Sequence, residues 1–226
     1  MKPVRRLDEA VAPDGSVLAL LEHDGDYVIR VNGVDLMSTR RHHSEDALAD
    51  LACAPLGARP DAQVLIGGLG LGFTLKAALR LLAADARVVV AELLDKVIAW
   101  NRNVDYPFAS DALRDARVEL VPGDVAQVLR ERPGAFDAIM LDVDNGADPL
   151  TTAGNAALYR YEGIRTAAAA LRPLGRLAYW SAEPDRAFER AMRRAGLTVQ
   201  LTLVSAHATT RPRHAVYVGI ASTEKP

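Results

Sequence analysis

The residues able to do chemistry stand where apolar runs end. Gln63-Val64-Leu65-Ile66 breaks into Gly67-Gly68-Leu69-Gly70-Leu71-Gly72, and an acid, Glu92, closes the next apolar run. Glycines at such a turn let the backbone approach a ligand closely, and a carboxylate about 20 positions on accepts hydrogen bonds from ribose hydroxyls. A G-x-G-x-x-G fingerprint begun at Gly68 would need glycine where Phe73 stands, so the loop points to an S-adenosylmethionine-type ligand rather than NAD. Glu92, with Leu93 beside it, is the expected ribose contact; an acid there also suits a helix start, where the dipole favours negative charge. Residues 118–121 lead to Gly123-Asp124. Asp124 is placed to accept from an adenine amino group and Val125 to pack on the base, although an Asp there also caps a following helix.

The fourth run ends in Asp142-Val143-Asp144-Asn145-Gly146-Ala147-Asp148-Pro149, the densest polar cluster of the chain. Asp142 is the expected catalytic carboxylate, able to orient an amine nucleophile and take its proton. Asp144 and Asn145 either extend the substrate site or build the turn. Asp142, Asp144 and Asp148 carry the oxygen ligands that hard cations prefer, but no glutamate follows where a calcium loop needs one, so no metal is expected. Adjacent histidines diverge on strand and helix alike, which makes His42-His43 a poor ligand pair. His43 reaches a substrate only if the N-terminal segment folds over the site; otherwise it is surface. Trp180 and Tyr159 either wall the substrate pocket or belong to the core.

These positions need a scaffold, and the hydrophobic pattern supplies one. From residue 61 onward, strand-like segments 64–66, 88–91, 118–121, 138–141 and 177–180 alternate with helical segments 73–83, 94–103, 125–131, 155–171 and 185–195. Continuous apolar strands separated by helices imply a parallel sheet buried on both faces. The last strands, 199–204 and 215–220, have no helix between them and should pair antiparallel. The expected fold is α/β: a class I methyltransferase-like doubly wound sheet with a reversed last strand, over 61–226. A small β-meander region over 1–54 precedes it, with turns at Asp24-Gly25 and Asn32-Gly33 and a helix over 47–53 capped near Ser44. Ligands of such sheets lie beyond the carboxyl ends of the strands, where the named residues fall.

Composition narrows the function classes. Of 226 residues, half are hydrophobic and a quarter charged, with net charge −2, so no large basic field would attract nucleic acid or an anionic membrane. No apolar run approaches a membrane span, and the first residues turn acidic too early for a signal peptide, which makes a cytoplasmic protein the simplest expectation. Cys53 is the only cysteine, so no intrachain disulfide forms, and its expected place is the core.

With these residues together, the sequence resembles the spermidine synthase (polyamine aminopropyltransferase) family, within the class I S-adenosylmethionine-dependent methyltransferase superfamily. The resemblance runs from Leu18 to Ala221 and is carried by the meander ending in Ser44-Glu45, the glycine loop, Val90-Ala91-Glu92-Leu93, Gly123-Asp124 and Phe136-Asp137-Ala138-Ile139-Met140-Leu141-Asp142. It implies that decarboxylated S-adenosylmethionine or methylthioadenosine lies on Gly68, Gly70, Glu92 and Asp124, that Asp142 is catalytic, that an amine is the acceptor, and that the protein is a homodimer. The acceptor half departs from the family pattern. Asn145 replaces the Asp that holds the distal amine, the family's Tyr-His-Glu reads His43-Ser44-Glu45, and Trp180 stands where a Gln is usual. Three functions therefore compete: aminopropyl transfer to an amine, methyl transfer from S-adenosylmethionine to a small substrate, and non-catalytic adenosyl-ligand binding. A fold shared by all three does not choose among them.

Overall fold

A computed structural model describes residues 3–143, 153–205 and 214–223. The chain opens with four antiparallel strands in sequential order: β1 (Arg5–Val11), β2 (Val17–His23), β3 (Asp26–Val31) and β4 (Val34–Ser38). Two of their turns use the expected chemistry. Asp24-Gly25 and Asn32-Gly33 each place both residues at positive φ (53° and 84°, 48° and 86°), the conformation of a two-residue hairpin whose twist matches its strands. Sequence reading named no strand at β1, where charged pairs break the alternation (Arg5-Arg6-Leu7-Asp8-Glu9-Ala10-Val11) and the register shifts between Arg6 and Asp8.

Helix α1 (His43–Cys53) follows and packs on the second half of the molecule. That half contains β5 (Gln63–Gly67), α2 (Phe73–Leu81), β6 (Arg87–Glu92), α3 (Asp95–Arg102), β7 (Val118–Pro122), α4 (Val125–Glu131), β8 (Phe136–Leu141), α5 (Ala153–Leu158), α6 (Tyr161–Ala169), β9 (Leu171–Ser181), α7 (Arg186–Arg194), β10 (Thr198–Val204) and β11 (His214–Ile220). The strands form one sheet in the order β10-β11-β9-β8-β5-β6-β7. Pairings among β7, β6, β5, β8 and β9 are parallel; β11 runs antiparallel to both β9 and β10. This is the expected fold, with the reversed strand inserted between β9 and β10.

Every residue of β8 is buried, as a strand covered on both faces requires. One apolar cluster, on the side of α1, α2 and α3, joins Val64, Ile66, Val88, Val90 and Met140 to the N-terminal sheet through Leu20, Ile29 and Val31. The other, under α4, α6 and α7, holds Leu65, Ile139, Tyr179 and Tyr217. The helix expected over 155–171 is two helices. Arg160 turns extended (φ −87°, ψ 161°), and Gly163 brings α6 so close to the end of α5 that a Cβ there would lie 2.1 Å from the Ala157 carbonyl oxygen.

The N-terminal sheet is fastened over the carboxyl edge of the large sheet. Asp8 on β1 accepts from Lys96 Nζ at 3.0 Å and Trp100 Nε1 at 2.9 Å, both on α3. Met37 on β4 meets the glycine loop, its sulfur accepting from the Leu71 amide at 3.2 Å. No helix among the described residues is long and apolar enough to cross a membrane.

Candidate active site

Between the two sheets lies a cavity at the carboxyl ends of β5, β6, β7 and β8. Its wall includes Gly68 and Gly70 from the loop, Glu92, Leu93 and Leu94 after β6, Gly123, Asp124 and Val125 after β7, and Asp142 and Val143 after β8. The N-terminal sheet contributes Leu18, Ile29, Leu36 and Met37; α1 contributes Glu45, α5 Asn155 and β9 Trp180.

The glycine loop is shaped by its neighbours. Gly68 sits at φ +90°, and a Cβ there would come within 2.4 Å of the Asp142 carbonyl oxygen, so the turn and the end of β8 touch through bare backbone. Gly67 and Gly72 lie behind the wall. A Cβ on Gly67 would strike Leu141 at 2.7 Å, and one on Gly72 would strike Ala109 at 2.3 Å, so both are required by packing. The buried Asn101 holds the loop from beneath, donating to the Gly70 carbonyl at 2.7 Å. Nothing in its local sequence separates Asn101 from an ordinary polar helix residue.

Glu92 is buried at the wall and accepts the amides of Leu69 and Leu94, each at 2.8 Å. Burial pushes its carboxyl above the usual range, and the backbone donors oppose that rise. The acid thus ties the loop to the start of α3, and each oxygen retains a lone pair able to accept a hydroxyl. Asp124 accepts the Ala126 amide at 2.8 Å as the N-cap of α4 while remaining exposed at the cavity. For both acids, the helix-end role and the place at the cavity coexist.

Asp142 accepts from the Thr74 hydroxyl on α2 at 3.1 Å. Across from it stands Glu45, only 6% exposed, which receives the Ser44 hydroxyl at 2.5 Å. Burial, then the charge of Asp142, pushes Glu45 up to about 8; burial pushes Asp142 up to about 6, with the Thr74 hydroxyl opposing. Sequence reading treated Glu45 as part of a helix start. Its signal was periodicity: it shares the buried face of α1 with Leu48, Ala49 and Ala52, at spacings of three, four and seven, where an acid is out of place.

Two expected substrate contacts lie elsewhere. His43 is exposed and outside the cavity wall, because α1 starts at that residue and a two-residue step turns the helix by about 200°, away from Glu45. Tyr159 is core. Its ring packs 5.2 Å from Tyr179 and 5.4 Å from Phe188, and its hydroxyl donates to the Trp180 carbonyl at 3.0 Å. Trp180 does line the cavity; its buried Nε1–H has no acceptor among the described residues. Asp144 and Asn145 lie outside the described residues.

Four carboxylates, Glu45, Glu92, Asp124 and Asp142, line the cavity, and no Lys, Arg or His is among its described lining residues. Among the described residues, such a wall suits a cationic ligand and offers no cation to neutralise a carboxylate.

No family model matches the sequence. The chain is similar to the polyamine aminopropyltransferase of Leptospira biflexa, with 29% identity over 149 residues, which are 66% of this chain and 50% of that protein. It spans about half the length of that curated relative. By structure it resembles spermidine synthase from Thermotoga maritima (TM-score 0.76, 20% identity, covering 97% of this chain and 74% of that one). A spermidine synthase in complex with the transition-state analogue AdoDATO is similarly close (TM-score 0.75, 19% identity, 97% and 73% covered). The sequence is thus spermidine synthase-like, and the fold is the methyltransferase-like fold of these enzymes.

Proposed function

We propose that this chain transfers an aminopropyl group from decarboxylated S-adenosylmethionine to an amine, releasing methylthioadenosine. The observation that carries this reading is the charge of the cavity: four acids and no cation among its described lining residues. S-adenosylmethionine itself would bring a carboxylate to that wall without a partner, at a cost of several kcal/mol for an unpaired buried ion. The decarboxylated donor brings only positive charge. The likeness to aminopropyltransferases supports the same choice.

In this reading Gly68 and Gly70 admit the adenosyl group, Glu92 accepts its ribose hydroxyls, Leu93 and Val125 sandwich the base, and Asp124 receives the adenine amino group. Gly67 and Gly72 keep the loop's shape. The amine lone pair forms a bond to the propyl carbon beside sulfur as the carbon–sulfur bond breaks and its electrons return to sulfur. Asp142 takes the proton that the new secondary ammonium sheds. A sulfonium is already activated, so the protein contributes mainly positioning and electrostatics. Asp144 and Asn145 extend the acceptor site, and the active species is a homodimer, to be checked by sedimentation.

Calorimetry with S-adenosylmethionine, its decarboxylated form and methylthioadenosine tests the reading. Preference for the decarboxylated form by about tenfold or more is expected. Preference for the carboxylated form would replace the reading with methyl transfer, and binding of neither would remove the adenosyl site.

A further inference from the structure

Asp142 takes the proton in the reaction above, yet its carboxylate receives a single hydrogen bond among the described residues, from the Thr74 hydroxyl to Oδ2 at 3.1 Å. The backbone of Asp142 is fixed from the glycine side. Its amide donates to the Gly67 carbonyl at 3.0 Å, and its carbonyl oxygen lies where a Cβ on Gly68 would come within 2.4 Å. Main-chain ties leave the side-chain torsions of an aspartate unset, so the hydroxyl is what fixes the carboxylate.

The glycine loop delivers Thr74 to that place. Thr74 is the second residue of α2, just past Gly72, whose φ of +77° turns the chain into the helix. A helical threonine hydroxyl ordinarily bonds back to a carbonyl three or four residues earlier. That of Thr74, a residue only 4% exposed, instead reaches an acid 68 residues along the chain. Helix α2 has no side-chain cap and no acid in its first turn, and Asp142 is the carboxylate that meets this turn, where the dipole favours negative charge. Burial and Glu45 on α1 oppose ionisation of Asp142. Glu92 and Asp124 share the wall, while Trp180 on β9 and Asn155 on α5 bring no charge to it. Thr74 itself does not line the cavity.

We propose that Thr74 is a positioning residue for Asp142: its hydroxyl holds Oδ2 and leaves Oδ1 to take the proton that the new ammonium sheds. This role rests on the transfer reading and adds to it a residue that touches neither donor nor acceptor. A hydrogen bond donated to the ionised form favours that form. Loss of the hydroxyl therefore raises the pH at which Asp142 ionises and lowers the fraction able to accept a proton at neutral pH.

Thr74→Val keeps the branched shape and removes the donor. The test follows the Asp142 carboxyl by carbon NMR of labelled protein through a pH titration, the signal being assigned by its loss in Asp142→Asn. Methylthioadenosine formation from decarboxylated S-adenosylmethionine and 1,4-diaminobutane is measured over the same range. In Thr74→Val the midpoint should rise by about one pH unit and kcat at neutral pH should fall about tenfold, while methylthioadenosine affinity and the KM of each substrate stay within about twofold. Thr74→Ser returns the hydroxyl and should recover most of both changes. An unmoved midpoint or an unchanged kcat in Thr74→Val would overturn the inference and leave the transfer reading intact. A loss of kcat that Thr74→Ser does not recover, or that comes with an equal loss of methylthioadenosine affinity, would make Thr74 structural and also overturn it. Wild-type protein that binds methylthioadenosine but forms none from these substrates would bring down both proposals.

Discussion

The two ends of β8 carry one acid each, and their surroundings differ. Asp137, at the amino end, is 2% exposed and held by Arg59 at 3.0 Å, Arg172 at 2.8 Å and the Gln63 amide at 2.8 Å. Asp142, just past the carboxyl end, receives one hydroxyl and faces a second acid. Both follow from the same strand and are five positions apart. One end uses its charge to join segments of the chain; the other, among the described residues, has no counter-ion at a cavity. Perturbed acids without counter-ions in a cleft are a mark of functional sites, because folding alone does not favour them.

The largest contrast should come from kinetics. Asp142→Asn is expected to lower kcat by about 10²–10⁴-fold, the range for loss of a general base, with methylthioadenosine affinity nearly unchanged. Full activity in that variant would erase the distinction between the two ends. At the other end, Asp137→Ala should destabilise the protein by about 3 kcal/mol in urea unfolding, since it strands two arginines and a backbone amide. Stability close to wild type would show that the Asp137 pairs contribute little.

The pH dependence of stability sharpens the comparison further. Glu45 titrates above its ordinary 4.5, near 8, in the folded protein, so the unfolded chain binds fewer protons between those values. Stability should therefore be greatest at the acid side of that window and fall as pH rises through it. Glu45→Gln should flatten this fall, as thermal melts across the window would show; a parallel decline in the variant would contradict the pairing of Glu45 with Asp142. The smallest effect is expected at Asp124, whose replacement by Ala removes one helix cap at about 1 kcal/mol and weakens adenosyl binding modestly. A loss confined to stability would leave Asp124 as a cap alone.

The glycine-loop side of the cavity was legible because its features are local. The glycine turn, Glu92 and Asp124 each stand at or within two residues of a strand end, in the short connection that leads to the next helix. Local chemistry and position along the chain coincide there. The opposite side of the cavity was legible at Asp142 and, as one of two readings, at Trp180. Glu45, Thr74 and Trp180 come from different elements, and nothing local to any of them points to the others. His43 and Tyr159 were misplaced for a related reason: a shift of two residues on a helix reverses its face, and an aromatic suits a core as well as a pocket.

By itself, the sequence determined the alternation of strands and helices, the hairpin turns, the glycine-shaped loop and the acids that follow the strands, because periodicity and backbone preference act within a few residues. Only the tertiary structure decided which acids meet. It seated the N-terminal sheet over the cavity, turned Glu45 inward and His43 outward, and set Glu45 against Asp142 with no cation beside them among the described residues. Those outcomes depend on long-range packing of whole elements, and a pair of charges nearly a hundred residues apart has no energy until the fold brings them together.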